Sequence, residues 1–393
     1  MAGVLEGVRV VDFGRYVAGP WCAALLGDLG ADVVRVERVE GGEDRFIAPV
    51  AGQEGGAIFL QVNRGKRGMT LDTSKPEGRA VVQRLVGWAD VVVANLPPRA
   101  RRSMGIDWDQ VHRLNPRAIL VTATTFGPGP YSDRLGFDGI AQAMSGAVYL
   151  SGDPGQPTKA YVPWVDYGTA HLLAFTSLAA LMARQSSGQG QHVDGALLKT
   201  ALTVSNSPLV EQAVLNLHRE STLNRGQTSG PYDIVATADG HVMVMVIGNR
   251  QFRKWCEVVG ADDLLADPRF ATDQLRGRNG SVLSDRLSSW SKERTTDEVI
   301  EALEAVGIPA GPVLSPQQAI DDEHVRATGF LVPTYYPGAP SPAPISDFPV
   351  AMSGTPGRVA GRAPLLGEHT DAVLAELGYS AAQIEALRAA GVV

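Results

Sequence analysis

Cysteine is scarce in this chain: two residues in 393, Cys22 and Cys256, far apart and each in an apolar helical context. That spacing excludes a disulfide scaffold and a thiolate metal framework, and it suits a reducing cytoplasm. Long hydrophobic runs are missing as well, none approaching the roughly 20 residues that cross a bilayer. The opening Met1-Ala2-Gly3-Val4-Leu5-Glu6 lacks the basic-then-apolar layout of a signal peptide, so a cytoplasmic protein is expected. There is no excess of positive charge. With 35 basic against 42 acidic residues the formal net charge is −7, which argues against nucleic acid or an anionic membrane as partner. An anionic ligand would have to be held by local basic clusters.

Several catalytic signatures are also absent. The seven histidines are scattered, and none has the H-x-x-x-H spacing that puts two metal ligands on one helical face. No G-x-S-x-G elbow marks a serine hydrolase and no P-loop is present. His171 falls within an apolar helical stretch, 169–183, where a satisfied buried histidine is expected. No internal repeat or low-complexity tract occurs.

What is present is ordinary globular composition, 44% hydrophobic and 20% charged, in a chain longer than one core usually serves. The first part alternates strand and helix. Residues 8–13 read as a strand, 20–29 as a helix with Pro20 in its first turn and Gly30 as its left-handed cap, and 32–37 as a second strand. Short connections make this a β-α-β unit with parallel strands. A weak strand at 69–72, a helix at 76–89, a buried strand at 90–94, a helix from Asp107 and a strand at 119–122 continue the pattern. The fold class is therefore α/β: a doubly wound, Rossmann-like large domain over 1–205. A smaller α+β domain over 225–315 follows, with a hairpin (232–237 and 241–246) about Asp239-Gly240 and helices at 251–259, 283–290 and 296–306. Residues 316–393 form an extended Pro- and Gly-rich connector ending in short helices at 371–377 and 381–389.

The loop after the first strand, Gly14-Arg15-Tyr16-Val17-Ala18-Gly19-Pro20, is not G-x-G-x-x-G. Bulky Arg15, Tyr16 and Val17 would keep a pyrophosphate from the backbone. Basic residues gather in three places: Arg35 with Arg38; Arg64, Lys66 and Arg67; and Arg99, Arg101 and Arg102. They can be solvated surface charge, or, being near the carboxyl ends of strands, a site for a polyphosphate such as the adenosine end of coenzyme A. The segment Tyr161-Val162-Pro163-Trp164-Val165-Asp166-Tyr167-Gly168 ends a strand-like stretch and opens a long apolar helix. Asp166 can act as its N-cap, or as a nucleophile kept ionised by free N–H groups and the helix dipole.

In order along the chain, Leu5-Glu6-Gly7-Val8-Arg9-Val10-Val11-Asp12-Phe13, Leu26-Gly27-Asp28-Leu29-Gly30-Ala31-Asp32-Val33, Asn63-Arg64-Gly65-Lys66-Arg67 and Gly136-Phe137-Asp138 stand out. So do Gly188-Gln189-Gly190-Gln191, Ile308-Pro309-Ala310-Gly311-Pro312-Val313 and Ala363-Pro364-Leu365-Leu366-Gly367-Glu368-His369-Thr370. Together they resemble the family III CoA-transferases, the CaiB/BaiF group that includes formyl-CoA, carnitine and bile-acid CoA-transferases. By that resemblance Asp166 falls on the catalytic aspartate, which passes through an acyl-aspartyl anhydride and an aspartyl-CoA thioester. The implied partners are an acyl-CoA and a carboxylic acid, with CoA thioester as substrate and no further cofactor or metal. The implied assembly is an interlocked homodimer, with residues 316–393 completing the large domain and the small domain inserted between.

The resemblance also implies CoA contacts from Tyr16, Val17 and Ala18 in the first loop, and from Arg38, Leu71, Asn95 and Leu96. Arg102 stands one place before the family's basic position, here Ser103. Tyr16 and Val17 depart from the formyl-CoA enzyme, and the small domain lacks its glycine-rich loop. The wider family includes α-methylacyl-CoA racemases, whose histidine would stand at Phe137. That activity is the alternative, and a non-catalytic acyl-CoA-binding protein is a third possibility.

Overall fold

The computed structural model describes residues 3–52 and 55–393. The chain forms two compact units. One comprises residues up to Ser145, Ala160–Asn206 and Glu323–Val393; the other comprises Gly146–Lys159 and Ser207–Asp322.

The first unit is built on six parallel strands: β1 (Arg9–Asp12), β2 (Asp32–Glu37), β3 (Arg67–Thr70), β4 (Val91–Ala94), β5 (Ile119–Thr124) and β6 (His192–Ala196). Their order is β3-β2-β1-β4-β5-β6, with Val10 opposite Val33 and Val91, and Val121 opposite Val193. This order reverses between β1 and β4, and such a reversal opens a crevice at the carboxyl ends of the strands. The short strands are apolar on both faces because both faces are covered. On one face Val10, Val93, Ile119 and Val121 lie under α1 (Ala18–Asp28) and α7 (Trp164–Ser187), through Trp21, Leu26, Leu173 and Leu181. On the other, Val11, Val34, Val92 and Leu120 lie against α3 (Pro76–Trp88) and α5 (Trp108–Leu114). There the helices Thr370–Glu376 and Ala381–Ala389 add Leu374, Ile384 and Leu387.

Between these elements run α2 (Ala57–Val62), α4 (Pro98–Met104) and α6 (Asp138–Met144), and α8 (Leu197–Val204) follows β6. A small cluster of Ala18, Ala141, Val165, Leu197 and Ala201 packs α6, α7 and α8 together beneath the end of the sheet.

The second unit has a three-stranded antiparallel sheet of Tyr232–Ala236, His241–Met245 and Ala310–Pro312, with Val242 opposite Val235 and Pro312. Its core is Trp255, Cys256, Phe270, Leu283, Leu287 and Leu303.

Three expectations need correction. Residues 146–159 group with the second unit: they form a hairpin, and Leu223 N–H donates to the Gly152 carbonyl at 3.0 Å. Residues 316–322 also belong there, so the return to the first unit begins at Glu323. The Pro-rich connector is not simply extended, because Leu331–Thr334 pairs antiparallel with Ala343–Ser346. In a two-stranded ribbon each strand is an edge, where proline is tolerated.

Candidate active site

Asp166 is the third residue of α7, not its cap; Pro163 holds the cap position and makes no side-chain cap bond, and residues 158–163 leading into it are not strand. Two N–H groups of that first turn go to one residue, 27 and 28 positions earlier. The Asp138 carboxylate, at the start of α6, accepts from Val165 N–H at 2.8 Å and Asp166 N–H at 2.9 Å through Oδ2. Its Oδ1 accepts from the side-chain amide of Gln142.

The Asp166 carboxyl is therefore not held ionised by the helix. Burial, and then the Asp138 charge, push its pKa up to about 7. Among the described residues no ion pair joins it. The sequence marked Asp138 only as part of Gly136-Phe137-Asp138; its role at α7 rests on a contact across 28 residues.

Asp166 opens onto a cavity of about 670 Å³ at the carboxyl end of the sheet, whose lining includes Tyr16, Ala18, Asn95, Leu96 and Phe137. The loops after β1 and β4 are tied across the switch point by Asn95. Its Oδ1 accepts Arg15 N–H at 2.7 Å and its Nδ2 donates to the Arg15 carbonyl at 2.8 Å. A Cβ at position 19 would lie 2.6 Å from that Oδ1, so Gly19 is what lets the loop and Asn95 meet. Tyr16 sits at φ 60 with its N–H on Asp44 Oδ2 at 3.2 Å, and its ring meets Phe137 edge-on at 5.3 Å. The Arg15 guanidinium folds back beneath the loop, donating to the Gly14 carbonyl at 2.9 Å and the Val36 carbonyl at 3.2 Å.

Five of the expected site residues thus share this cavity: Asp166, Tyr16, Ala18, Asn95 and Leu96. Four do not line it. Val17 and Leu71 are buried in the two cores. Arg38 is exposed and paired with Glu43 at 3.0 Å, and Arg102 is exposed on α4. The cations that do line the cavity are Arg15, Arg99 and Arg134. Arg134, in the loop after β5 and stacked over Tyr131 at 3.8 Å, carried no sequence signal beyond its charge.

Arg38 apart, the cations of the first two basic clusters are held by acids of the chain itself. Arg35 is fully buried between Asp44 at 2.6 Å and Asp12 and Glu37 at 3.6 Å each. Lys66, also buried, donates to Asp12 at 2.8 Å, the Pro20 carbonyl at 2.7 Å and Asn63 at 2.8 Å. Burial pushes its ammonium down to about 8 against the pull of Asp12. Arg64 pairs with Asp28 at 2.6 Å under the Trp21 ring, and Arg67 with Asp32 and Glu376 at 2.7 Å each. These groups anchor α1 and the strand ends, and none is free for a ligand.

His171 is exposed, touching Trp21 Nε1 at 3.4 Å, and is not the buried histidine expected. No histidine lines the cavity, and the racemase position is held by Phe137.

The sequence model of CoA-transferase family III matches residues 5–370. Succinate–glutarate CoA-transferase of Agrobacterium fabrum is 36% identical over 95% of this chain and 95% of its own length. Formyl-CoA:oxalate CoA-transferase of Rhodopseudomonas palustris is 32% identical over 100% and 97%. A CAIB/BAIF family protein from Brucella suis has a solved structure that superimposes with a TM-score of 0.84 at 32% identity, covering 96% of this chain and 100% of that one. A parallel six-stranded sheet with this cavity, and a match along nearly the whole chain, lead to one conclusion: the chain belongs to the family III CoA-transferases and is an enzyme of that family.

Proposed function

We propose that this enzyme exchanges CoA between an acyl-CoA and a free carboxylic acid with Asp166 as the covalent nucleophile. The observation that carries this is a partly buried carboxyl, opening onto the cavity with no ion pair of its own, on the position that resembles the family's catalytic aspartate. Asp12, Asp28 and Asp44 are by contrast spent in ion pairs with buried arginines.

An ionised Asp166 oxygen attacks the thioester carbonyl, the C–S bond breaks and CoA thiolate leaves, giving an acyl-aspartyl anhydride. The thiolate attacks the aspartyl carbonyl and expels the donor acid, giving an aspartyl-CoA thioester. The acceptor carboxylate attacks that carbonyl, expels thiolate and forms a second anhydride. Thiolate attack on the acceptor's carbonyl then releases the new acyl-CoA and restores Asp166. Four easier acyl transfers replace one hard exchange, away from water.

Tyr16, Ala18 and Leu96 give the thioester an apolar wall, Asn95 fixes the loops that carry them, and Arg99 and Arg134 offer charge to the phosphates. Val17 and Leu71 act through the packing behind that wall. Arg38 and Arg102 are exposed guanidiniums available to the nucleotide end. Leu172, Phe175 and Met182, exposed along one side of α7, form an apolar stripe suited to a second copy of this chain. That supports a homodimer, and its interlocking rests on the family resemblance. Phe137 cannot move a proton, so the racemase alternative has no base at that position.

The test is intact-protein mass spectrometry after mixing with a panel of acyl-CoAs, followed by hydroxylamine. An acyl- or CoA-sized adduct mapping to Asp166 supports the proposal. No adduct, together with deuterium uptake at the α-carbon of a branched acyl-CoA, overturns it in favour of the racemase.

A further inference from the structure

The chain leaves the first unit after Ser145 and re-enters it at Ala160, and one buried residue is bonded at both points, by its main chain at the first and its side chain at the second. Gln142, in the last turn of α6, is 1% exposed. Its main-chain carbonyl accepts from Ser145 Oγ at 2.9 Å. Its side-chain oxygen accepts from Ala160 N–H at 3.1 Å. Its amide nitrogen donates to Asp138 Oδ1 and to the Val162 carbonyl at 3.4 Å.

A carboxylate that takes two N–H groups on one oxygen can still rotate unless a donor holds the other. Glutamine is a side chain that gives a donor to Asp138 and an acceptor to Ala160 N–H together. We infer that Gln142 is a positioning residue for Asp166: it fixes the Asp138 carboxylate that caps α7, and with it the backbone carrying the nucleophile. The inference rests on Asp166 being that nucleophile.

The charged and titratable groups around Asp166 are few. Asp138 faces it from α6 and Tyr167 neighbours it on α7. Arg15, Tyr16, Arg99, Asp133 and Arg134 line the cavity it opens onto. On α8 the one titratable side chain is Lys199, which is exposed. The geometry of Asp138 therefore dominates the field at Asp166.

Gln142→Leu removes donor and acceptor alike, and Gln142→Glu sets an ionisable carboxyl against Asp138. Both are compared with wild type in steady-state exchange, in thermal melts, and in a pH titration of the Asp166 side-chain carbon by NMR with 13C-labelled aspartate. That signal is assigned by its loss in Asp166→Asn. Gln142→Leu is expected to lose about tenfold or more in kcat with KM for acyl-CoA within about twofold. Gln142→Glu is expected to move the Asp166 midpoint to higher pH.

Folded variants with wild-type kcat and an unmoved midpoint overturn the inference, as does lowered thermal stability alone. Should Gln142→Leu fail to fold, an unmoved midpoint in Gln142→Glu overturns it by itself. Exchange persisting in Asp166→Asn overturns the nucleophile assignment instead, and the midpoints still report whether Gln142 and Asp138 govern Asp166.

Discussion

Asp138 Oδ2 lies 2.9 Å from the backbone nitrogen of Asp166, so the carboxylate that caps α7 also sets a negative charge beside the carboxyl at the cavity. The first turn of the helix is satisfied by a residue that makes its own Asp166 harder to ionise. A nucleophile with a raised pKa is a better attacker once ionised, and its ionisation falls where pH is physiological.

Asp166→Asn should abolish exchange while leaving CoA affinity within about threefold, since the amide keeps the volume and loses the nucleophilic oxygen. Residual exchange above about a tenth of wild type would contradict the covalent role. Titration calorimetry with CoA measures the binding half of this expectation.

The rate should depend on pH in one direction. The reacting form is the carboxylate and its folded pKa is about 7, so kcat/KM should rise through that region and level off above it. A profile flat between about pH 5 and 8 would show that Asp166 ionises at an ordinary carboxylate value.

Stability should follow the opposite slope. A carboxyl whose folded pKa lies above its unfolded value stabilises the folded state most while protonated, and that contribution is lost as pH rises through about 7. Asparagine cannot ionise, so Asp166→Asn should melt higher than wild type at alkaline pH. The gain is about 1–2 kcal/mol after discounting for partial exposure, and it should vanish at low pH. Calorimetric melts across the range read the difference.

Lys66→Met should cost about 3–5 kcal/mol, because it strands the fully buried Asp12 carboxylate beside Arg35 alone. Adding Asp12→Leu should recover part of that loss by removing the stranded charge. Denaturant unfolding of the single and double variants measures the coupling.

Arg99→Ala and Arg134→Ala should each raise KM for acyl-CoA about fivefold with little change in kcat. Arg38→Ala should do less, since its guanidinium is exposed and already paired with Glu43.

The sheet was legible because its strands are short apolar runs with turn signals between them, and because β-α-β connections permit few topologies. The candidate nucleophile was singled out by the family resemblance, because the residues around Asp166 alone fit a helix cap as well as a nucleophile. What the residues did not reveal lies in contacts distant along the chain. Arg35, Arg64 and Lys66 look like ligand-binding charge until their buried partners are seen. Asp138 and Gln142 look like ordinary helix residues until the start of α7 is placed against them. Residues 146–159 lie within the stretch read as the first domain but pair among themselves and bond to Leu223.

Arg15 has a consequence for what this scaffold refuses. Its guanidinium lies against carbonyls at the ends of β1 and β2, the ground where a sheet with this strand order ordinarily seats the ribose and pyrophosphate of a redox coenzyme. The chain has furnished that berth with its own side chain. The strand order is that of a nucleotide-binding sheet, while the ground beside those carbonyls is taken by a guanidinium of the chain itself.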